Sequence, residues 1–413
     1  LKQDMEVIMK TSVIGFPRIG TLRELKFASE KYFRKEIEVK ELLHTAELLR
    51  KEHWAKQKNT GINYISSNDF SFYDMVLDTA VLLGIIPNRY KELHLSELDT
   101  YFAMARGYQG DFGDVKALAM KKWFNTNYHY IVPEIDDNVS IKLSGNKIWN
   151  EYAEAKEQGI ETKPVVIGAY TMLKLCRYTG KQSAENYVEA MIKAYRELIE
   201  KCEENQISWI QFDEPSLVQD MNKKDIELFH KIYDNLLTSI KTSKVLLQTY
   251  FGDIRDVYLD LIKMPFAGIG LDFIEGKETY NLIKEYGFPK DKLLFAGLIN
   301  GKNIWKNHYE ETLKILSSLK DKEIQTVLST SCSLLHVPYT LNHEEKLSQD
   351  YLSYFSFAEE KLVELKELSI LANDNDYHKN DLYQRNTALF ARDRKCDNDE
   401  VKNRLAGIIE NDY

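Results

Sequence analysis

The fold is decided by the stretch Trp209-Ile210-Gln211-Phe212-Asp213-Glu214-Pro215. Its first five residues form a mostly apolar, β-prone run that ends in two adjacent carboxylates, and Pro215 favours an extended conformation at Glu214. On either side, Ala184–Glu203 and Ile226–Ile240 carry apolar residues three and four positions apart, with charged residues on the other face. A β-prone run between two amphipathic helices is typical of a parallel βαβ unit.

The same alternation extends through most of the chain. Eight β-prone runs are separated by helical patterns, and eight parallel strands are the number that closes a TIM-type (β/α)8 barrel. The other seven runs are Ser12–Gly15, Tyr64–Ser67, Pro164–Gly168, Val245–Thr249, Gly268–Asp272, Leu293–Gly297 and Thr326–Ser329. The sequence therefore predicts an α/β fold of the TIM-barrel type, with additions outside the repeat.

Two segments do not fit the simple alternation. Residues 97–135 form an insertion rich in aromatic residues, and the residues that follow 338 form a charged helical extension. We therefore predict that residues 1–338 are a barrel that includes the insertion. Residues 339–413 are then a helical tail and linker, although long connections on such a scaffold often bind ligands.

Composition restricts the function classes. The 413 residues carry a net charge of −9, and the isoelectric point is near 5.6, which disfavours a protein that binds nucleic acid or an anionic membrane. The four cysteines are far apart and form neither a disulfide framework nor a paired metal motif. The polar start has no signal-peptide pattern, and no apolar run is long enough to cross a bilayer. These features predict a soluble cytoplasmic protein.

Basic residues follow the first β-prone run. Thr21 and Glu24 have the spacing of a capping box, which predicts a helix from about Leu22. Arg23 and Lys26 then share one face of its first turn. Cations are disfavoured at this end of a helix, so the pair indicates an anionic ligand, or else solvated surface charges.

Other strand ends also carry polar side chains, each open to two interpretations. Asp69 is expected either to orient a ligand or, more in keeping with its position, to cap a helix from near Ser71. Asp213 and Glu214 suit general acid/base chemistry if one pKa is raised, or a salt-bridged scaffold. Cys332 and His336 are four residues apart, but a catalytic zinc needs three protein ligands, and no third one is apparent.

The insertion places a cation among flat aromatic rings. It contains the stretch Lys122-Trp123-Phe124-Asn125-Thr126-Asn127-Tyr128-His129-Tyr130. Such rings can stack on a pterin or benzoyl group, and they can equally pack into the protein's own core. Arg18, Asn127 and His129 are further candidate contacts with a ligand.

Taken together, these motifs resemble the N-terminal half of the cobalamin-independent methionine synthase family. The resemblance covers the chain from about Ile14 onwards, and the ordered set of motifs is far more specific than any one of them. The stretches that carry it are Gly15–Gly20, Arg23–Lys26, Ser67–Ser71, Lys122–Phe124, Thr126–Tyr130, Gln211–Pro215, Asn303–Trp305 and Ser331–Pro338.

This resemblance implies two barrels and a methyl transfer. The family moves a methyl group from 5-methyltetrahydropteroyl-triglutamate to homocysteine, with zinc ligands in a C-terminal barrel that this chain does not reach. The residues of this chain expected to bind the folate are Arg23, Glu24, Leu25, Lys26 and Lys122. No metal ligand is expected here, since Thr249-Tyr250-Phe251 stands where the zinc-bearing barrel has His-x-Cys. Asn300-Gly301 departs from an expected Asp-Gly.

Two other functions remain open from the sequence. The first is a stand-alone decarboxylase- or methyltransferase-like barrel in which Asp213 or Glu214 acts as acid or base. The second is a non-catalytic module that binds polyglutamates or docks another barrel. Apolar residues of the tail, namely Leu362, Leu365 and Leu368-Ser369-Ile370-Leu371, favour docking because they suggest a surface that needs a partner.

Overall fold

A closed ring of eight parallel strands forms the centre of the protein. The computed structural model describes residues 9–392 and 398–408. The strands are Lys10–Ser12, Ile65–Ser67, Thr162–Ile167, Trp209–Asp213, Lys244–Gln248, Gly268–Asp272, Leu293–Ile299 and Thr326–Thr330, and from the second one onwards each pairs in parallel with the next. The last strand pairs with the first, and a parallel bridge between Ser12 and Tyr64 completes the ring. The predicted (β/α)8 barrel is confirmed.

The first strand lies earlier than predicted. It spans Lys10–Ser12 rather than Ser12–Gly15. The Val13 N–H still donates to the Tyr64 carbonyl, but after it the backbone N–H groups of Ile14 and Phe16 donate to the side chains of Thr330 (Oγ1) and Asp69 (Oδ2). The stretch from Gly15 is therefore a loop at the C-terminal end of the barrel.

The barrel interior is apolar at one end and polar in the middle. Leu246, Phe295 and Val327 form a fully buried layer, which Tyr64 and Trp209 close from below. Above it, Gly270 leaves room for the Gln248 side chain, since a Cβ at position 270 would lie 2.1 Å from Gln248 Oε1. Polar side chains thus fill the space that leads to the C-terminal ends of the strands.

Helices surround the ring, and most connect consecutive strands. The predicted helix Ala184–Glu203 is confirmed to within one residue, whereas the next helix begins at Lys223 because Asn222 caps it through the Lys224 and Asp225 N–H groups. The helices are Glu24–Phe33, Val39–Thr60, Met75–Leu82, Asn88–Lys91, Glu97–Arg106, Lys147–Glu157, Ala169–Leu175, Ala184–Glu204, Lys223–Leu237, Tyr258–Leu261, Thr279–Tyr286, Tyr309–Asp321, Gln349–Leu352, Ala358–Ala372, Asp381–Phe390 and Asp399–Ala406.

The insertion after residue 97 adds a helix and two antiparallel hairpins. Helix Glu97–Arg106 leads into a hairpin of Tyr108–Gly110 with Gly113–Val115. A second hairpin pairs Met120–Lys122 with His129–Ile131. We call the second one the aromatic hairpin, because its loop contains Trp123, Phe124 and Tyr128.

The tail packs against the barrel. Helix Ala358–Ala372 buries Leu362, Leu365, Leu368 and Leu371 almost completely, and Ser369 Oγ donates to the Met9 carbonyl beside the first strand. The docking surface expected from these leucines is therefore wrong, since they face the chain's own core; Ile370 alone of the apolar residues predicted there is exposed. The division of the chain at residue 338 stays a prediction. No helix in the described residues is long and apolar enough to cross a membrane.

Candidate functional site

A cavity opens at the C-terminal ends of the barrel strands, where active sites of this fold lie. Its empty volume is about 450 Å³, part of which is open to solvent, and we call it the mouth cavity. Its walls combine aromatic rings with a few polar groups, a composition typical of binding sites for small molecules. The lining residues are Ile14, Gly15, Asp74, Met75, Val76, Trp123, Tyr128, Tyr130, Asp213, Tyr250, Ser333, Leu335 and His336.

Asp213 is the carboxylate that the fourth strand places in this cavity. It is 2% exposed, and its two oxygens accept hydrogen bonds from Gln211 Nε2 (2.7 Å) and the Tyr250 hydroxyl (3.0 Å). Burial raises the pKa of the carboxyl group above its usual range, because the charged form loses hydration. The predicted candidate therefore lies in the cavity with an altered proton affinity.

Glu214 points away from the cavity and has a structural role. It is completely buried and accepts hydrogen bonds from the N–H groups of Tyr170 (3.0 Å) and Thr171 (2.7 Å) and from the Tyr233 hydroxyl. It thus anchors the first turn of helix Ala169–Leu175. From the sequence, a salt-bridged scaffold is one predicted role of Asp213 and Glu214. Glu214 is a scaffold residue, but the prediction of a salt bridge is wrong for it, since its hydrogen-bond partners are neutral groups.

A buried lysine supports Asp213 indirectly, and sequence reasoning missed it. Lys163 lies inside the barrel, where its ammonium group donates to the Val13 carbonyl at 2.8 Å and to Gln211 Oε1. Gln211 in turn donates to Asp213, so an amide links the two charges. Burial lowers the pKa of Lys163. A lone Lys in the run Lys163-Pro164-Val165 was the signal available in the sequence.

Asp74 is a second carboxylate of the cavity that the sequence did not reveal. Its Oδ1 caps helix Met75–Leu82 by accepting from the Val76 and Leu77 N–H groups, and its Oδ2 accepts from the Ile131 N–H at 2.9 Å. Burial raises its pKa to about 7. The cap expected at Asp69 is therefore wrong: Asp69 binds the Phe16 N–H and Ser66 Oγ, and the helix starts four residues later than predicted.

Arg18 and Lys26 line a groove beside the barrel mouth. The groove has an empty volume of about 620 Å³, part of it open to solvent, between aromatic and charged side chains, and we call it the basic groove. Arg18 is held in place by donating to the Ser71 carbonyl at 2.7 Å and by lying over the Tyr128 ring. Lys26 is partly exposed and pairs with Glu30 at 3.7 Å. The other residues that line the basic groove are Ile19, Leu25, Ser29, Glu30, Phe33, Phe72 and Tyr73.

The capping box predicted from Thr21 and Glu24 is wrong. The helix begins at Glu24, and Arg23 occupies the N-cap in a left-handed conformation with φ of 65°. The Glu24 carboxylate reaches back to the Leu22 N–H at 3.0 Å, because the tight turn at Gly20 brings the chain close to it. Arg23 is consequently exposed at the start of the helix, close in sequence to Lys26 but outside the lining of the basic groove.

Lys122 lies on the aromatic hairpin, apart from the basic groove. It is exposed, pairs in register with His129 on the opposite strand, and has no ion pair within the described residues. Asn127 and His129 are exposed as well, whereas Trp123 and Tyr130 are buried in the core. The structure therefore groups Arg18 with Lys26, and leaves Lys122 on a separate element.

Three polar side chains fasten the aromatic hairpin across the barrel mouth. Asn125 donates to Glu275 Oε2 at 2.6 Å, and Lys302 donates to Asn125 Oδ1 at 2.9 Å. Lys302 also pairs with Glu275 at 2.6 Å. These residues, which we call the clasp, join the hairpin loop to the loops after two barrel strands.

Cys332 and His336 do not converge on a metal. Cys332 is buried, and burial raises the pKa of its thiol far above the usual range. His336 packs between Tyr128 and Phe251, and burial lowers its pKa to about 4. No group of three His, Cys, Asp or Glu side chains able to hold a metal ion occurs in residues 9–392 and 398–408. Cys396 lies outside the described residues.

Asn300 caps a turn. Its side-chain oxygen accepts hydrogen bonds from the N–H groups of Lys302 (2.8 Å) and Asn303 (3.1 Å). An aspartate in the same place would accept the same two bonds, so the departure at Asn300-Gly301 preserves the local turn.

Known proteins give an independent comparison. The family described as "Cobalamin-independent synthase, N-terminal domain" matches residues 10–324. A 5-methyltetrahydropteroyltriglutamate–homocysteine methyltransferase of Campylobacter jejuni subsp. doylei is 52% identical over 405 residues, which are 98% of this chain and 53% of that protein. The enzyme of the same name from Lactococcus lactis subsp. cremoris is 51% identical over 406 residues, with the same coverage. The chain thus spans about half the length of these relatives.

Solved structures agree on the fold. A putative vitamin-B12-independent methionine synthase from Listeria monocytogenes superposes with a TM-score of 0.61 at 16% identity, covering 86% of this chain and 95% of that one. A B12-independent methionine synthase from Shewanella sp. W3-18-1 gives 0.58 at 16% identity, covering 88% and 98%. At this identity the likeness concerns the architecture only.

Proposed function

The chain belongs to the cobalamin-independent methionine synthase family, and from this premise we propose that it binds the glutamate tail of a methyl-folate. Its relatives are named for the transfer of a methyl group from 5-methyltetrahydropteroyl-triglutamate to homocysteine. In this proposal the chain is the N-terminal half of such an enzyme. A second barrel completes the catalytic site, and the complete protein works in the cytoplasm.

The basic groove is the observation that carries the proposal. A triglutamate tail is extended and polyanionic, and the groove offers Arg18 and Lys26 next to the apolar faces of Phe33, Phe72 and Tyr73. A charged hydrogen bond from Arg or Lys to a carboxylate is among the stronger polar contacts in proteins. Leu25 adds to the apolar floor, whereas Arg23, Glu24 and Lys122 are proposed to meet the ligand from outside the groove.

Glu30 sets the strength of this contact. Its carboxylate pairs with Lys26 at 3.7 Å, and both side chains are roughly two-fifths exposed. A ligand carboxylate has to compete with Glu30 for the Lys26 ammonium group, so the net gain from this exposed pair is small. Tail recognition is therefore expected to come from several modest contacts rather than from one dominant ion pair.

The chemistry of methyl transfer is assigned to the second half of such an enzyme. Zinc supplies the activation of the homocysteine thiol in this family, and we propose that its ligands lie in the second barrel. Cys332 and His336 do not fit that role, because Cys332 is sealed beneath Gly301 and His336 is packed between aromatic rings. No step of the reaction is accordingly assigned to a metal bound by the described residues of this chain.

A reconstitution assay tests the proposal. The purified chain is assayed for methyl transfer from the triglutamate folate to homocysteine, alone and mixed with the second half of the Campylobacter jejuni relative. We expect turnover only in the mixture. Turnover by the chain alone that survives chelation would instead favour a stand-alone barrel enzyme, and an inactive mixture whose halves associate would contradict the proposed division of labour.

A further inference from the structure

The mouth cavity contains two buried carboxylates that have only neutral partners. Asp74 and Asp213 are 1% and 2% exposed, and both line the cavity. Asp74 accepts from three backbone N–H groups, whereas Asp213 accepts from an amide and a phenol. Aspartates are rarely buried to this degree without a cationic partner, since dehydration of the charge costs several kcal/mol.

The nearby cations do not fill that role. Lys163 reaches Asp213 only through the Gln211 side chain, and it lies deeper in the barrel than the cavity. Arg18 directs its guanidinium group to the Ser71 carbonyl and to the Tyr128 ring. Among the described residues that line it, the cavity therefore has two carboxylates and no lysine or arginine.

Two aromatic residues of the same cavity have hydrogen-bond donors that the described residues do not use. Trp123 and Tyr130 are 7% and 5% exposed and line the cavity. Within the described residues, neither the indole N–H nor the Tyr130 hydroxyl has a hydrogen-bond partner. By contrast, the hydroxyls of Tyr128 and Tyr250 donate to the Tyr73 carbonyl and to Asp213. Buried donors normally have partners, so a free pair in a cavity points to a ligand that accepts hydrogen bonds.

We propose that the mouth cavity binds a compact aliphatic ammonium compound that also carries an oxygen acceptor. Its ammonium group donates to Asp213 and Asp74 and lies against the aromatic faces, which attract cations. Its oxygen accepts from Trp123 and Tyr130. This site is separate from the basic groove, and it does not depend on the function proposed above.

Calorimetric titration of the purified chain with three probes tests the site. The probes are 2-aminoethanol as its cation, propylammonium, which lacks the oxygen, and 1,2-ethanediol, which lacks the charge. We expect 2-aminoethanol to bind best, propylammonium several-fold more weakly, and 1,2-ethanediol at least tenfold more weakly, because charged hydrogen bonds contribute more than neutral ones. No saturable binding of 2-aminoethanol, or equal binding of the diol, would overturn the proposal.

Two variants locate the binding. Tyr130→Phe removes a hydroxyl that has no protein partner, so the fold should be unchanged; we expect it to weaken 2-aminoethanol several-fold and leave propylammonium unaffected. Asp213→Asn should weaken both cations at least tenfold. Asp114→Asn, on the exposed first hairpin, is the matched control and should change neither. Binding that is the same in Tyr130→Phe and in wild type, for all three probes, would place it elsewhere and overturn the assignment.

Discussion

Removing the Glu214 side chain should strongly destabilise the barrel, because the carboxylate is a buried hydrogen-bond acceptor and does not face the mouth cavity. The completely buried carboxylate accepts three hydrogen bonds, from Tyr170, Thr171 and Tyr233. In Glu214→Ala all three donors lose their partner inside the protein. An orphaned buried donor costs about 1–3 kcal/mol, and the costs are not additive, so we expect a loss of about 3–5 kcal/mol in the free energy of unfolding.

The close approach of Gly168 to Glu214 allows a second test of the buried position of this carboxylate. A Cβ at position 168 would lie 2.2 Å from Glu214 Oε1, although the backbone there is ordinary extended chain. Gly168→Ala should therefore destabilise the wild-type protein by about 1–3 kcal/mol and cost much less in the Glu214→Ala background, where the obstructing atoms are gone.

Urea unfolding monitored by circular dichroism measures these differences, and Glu200→Ala on an exposed helix face is the control, with an expected change within about 0.5 kcal/mol. A loss below about 1 kcal/mol in Glu214→Ala would refute the structural role of Glu214. An equal cost of Gly168→Ala in both backgrounds would refute the contact between the two residues.

Three further outcomes are expected. Burial raises the pKa of Glu214 to about 7, above its value in the unfolded chain. The wild type should therefore lose stability relative to Glu214→Gln as pH rises from about 5 to about 8. Urea unfolding across that range measures both stabilities, and a wild type that gains stability relative to Glu214→Gln would contradict this. Lys302→Ala breaks the clasp and should speed amide hydrogen exchange in Met120–Ile131 while the barrel strands stay protected, whereas unchanged exchange would show that the clasp is dispensable. Leu365→Ala should cost about 2–4 kcal/mol and Val363→Ala, on the exposed face of the same helix, less than about 1 kcal/mol, so equal losses would contradict the packing of the tail.

The architecture could be predicted because parallel strands covered on both sides leave a strong sequence signal. Trp209–Asp213 and Gly268–Asp272 were placed to the residue, since apolar runs between amphipathic helices have few alternatives. The predicted bounds of the first strand are wrong because Val13–Gly15 are as apolar as a strand, whereas the Ile14 N–H donates to a side chain, Thr330 Oγ1. Hydrophobic periodicity alone cannot show whether a backbone N–H donates to a neighbouring strand or to a side chain.

The site was harder to predict because its parts come from distant segments. The position of Asp213 at the end of a β-prone run marks it as a candidate. Its environment in the cavity depends on Lys163 and Tyr250, which come near it only in the closed ring. The sequence does not indicate that Asp74 lines the cavity, because its sequence signal is that of an ordinary helix cap. The apolar stripe of the tail predicts an interface, but in the structure it faces the chain's own core. A single sequence shows that a stripe is apolar but not what covers it.

Recognition of the glutamate tail by the basic groove can be tested by one set of binding measurements. Affinities of 5-methyltetrahydropteroyl-monoglutamate and -triglutamate are measured on the chain combined with the second half of a relative, for wild type, Lys26→Ala and Glu30→Gln. We expect Lys26→Ala to weaken the triglutamate a few-fold to about tenfold and barely affect the monoglutamate, and Glu30→Gln to strengthen the triglutamate by removing its competitor. Equal losses for both ligands in Lys26→Ala, with no gain in Glu30→Gln, would contradict tail recognition by this groove.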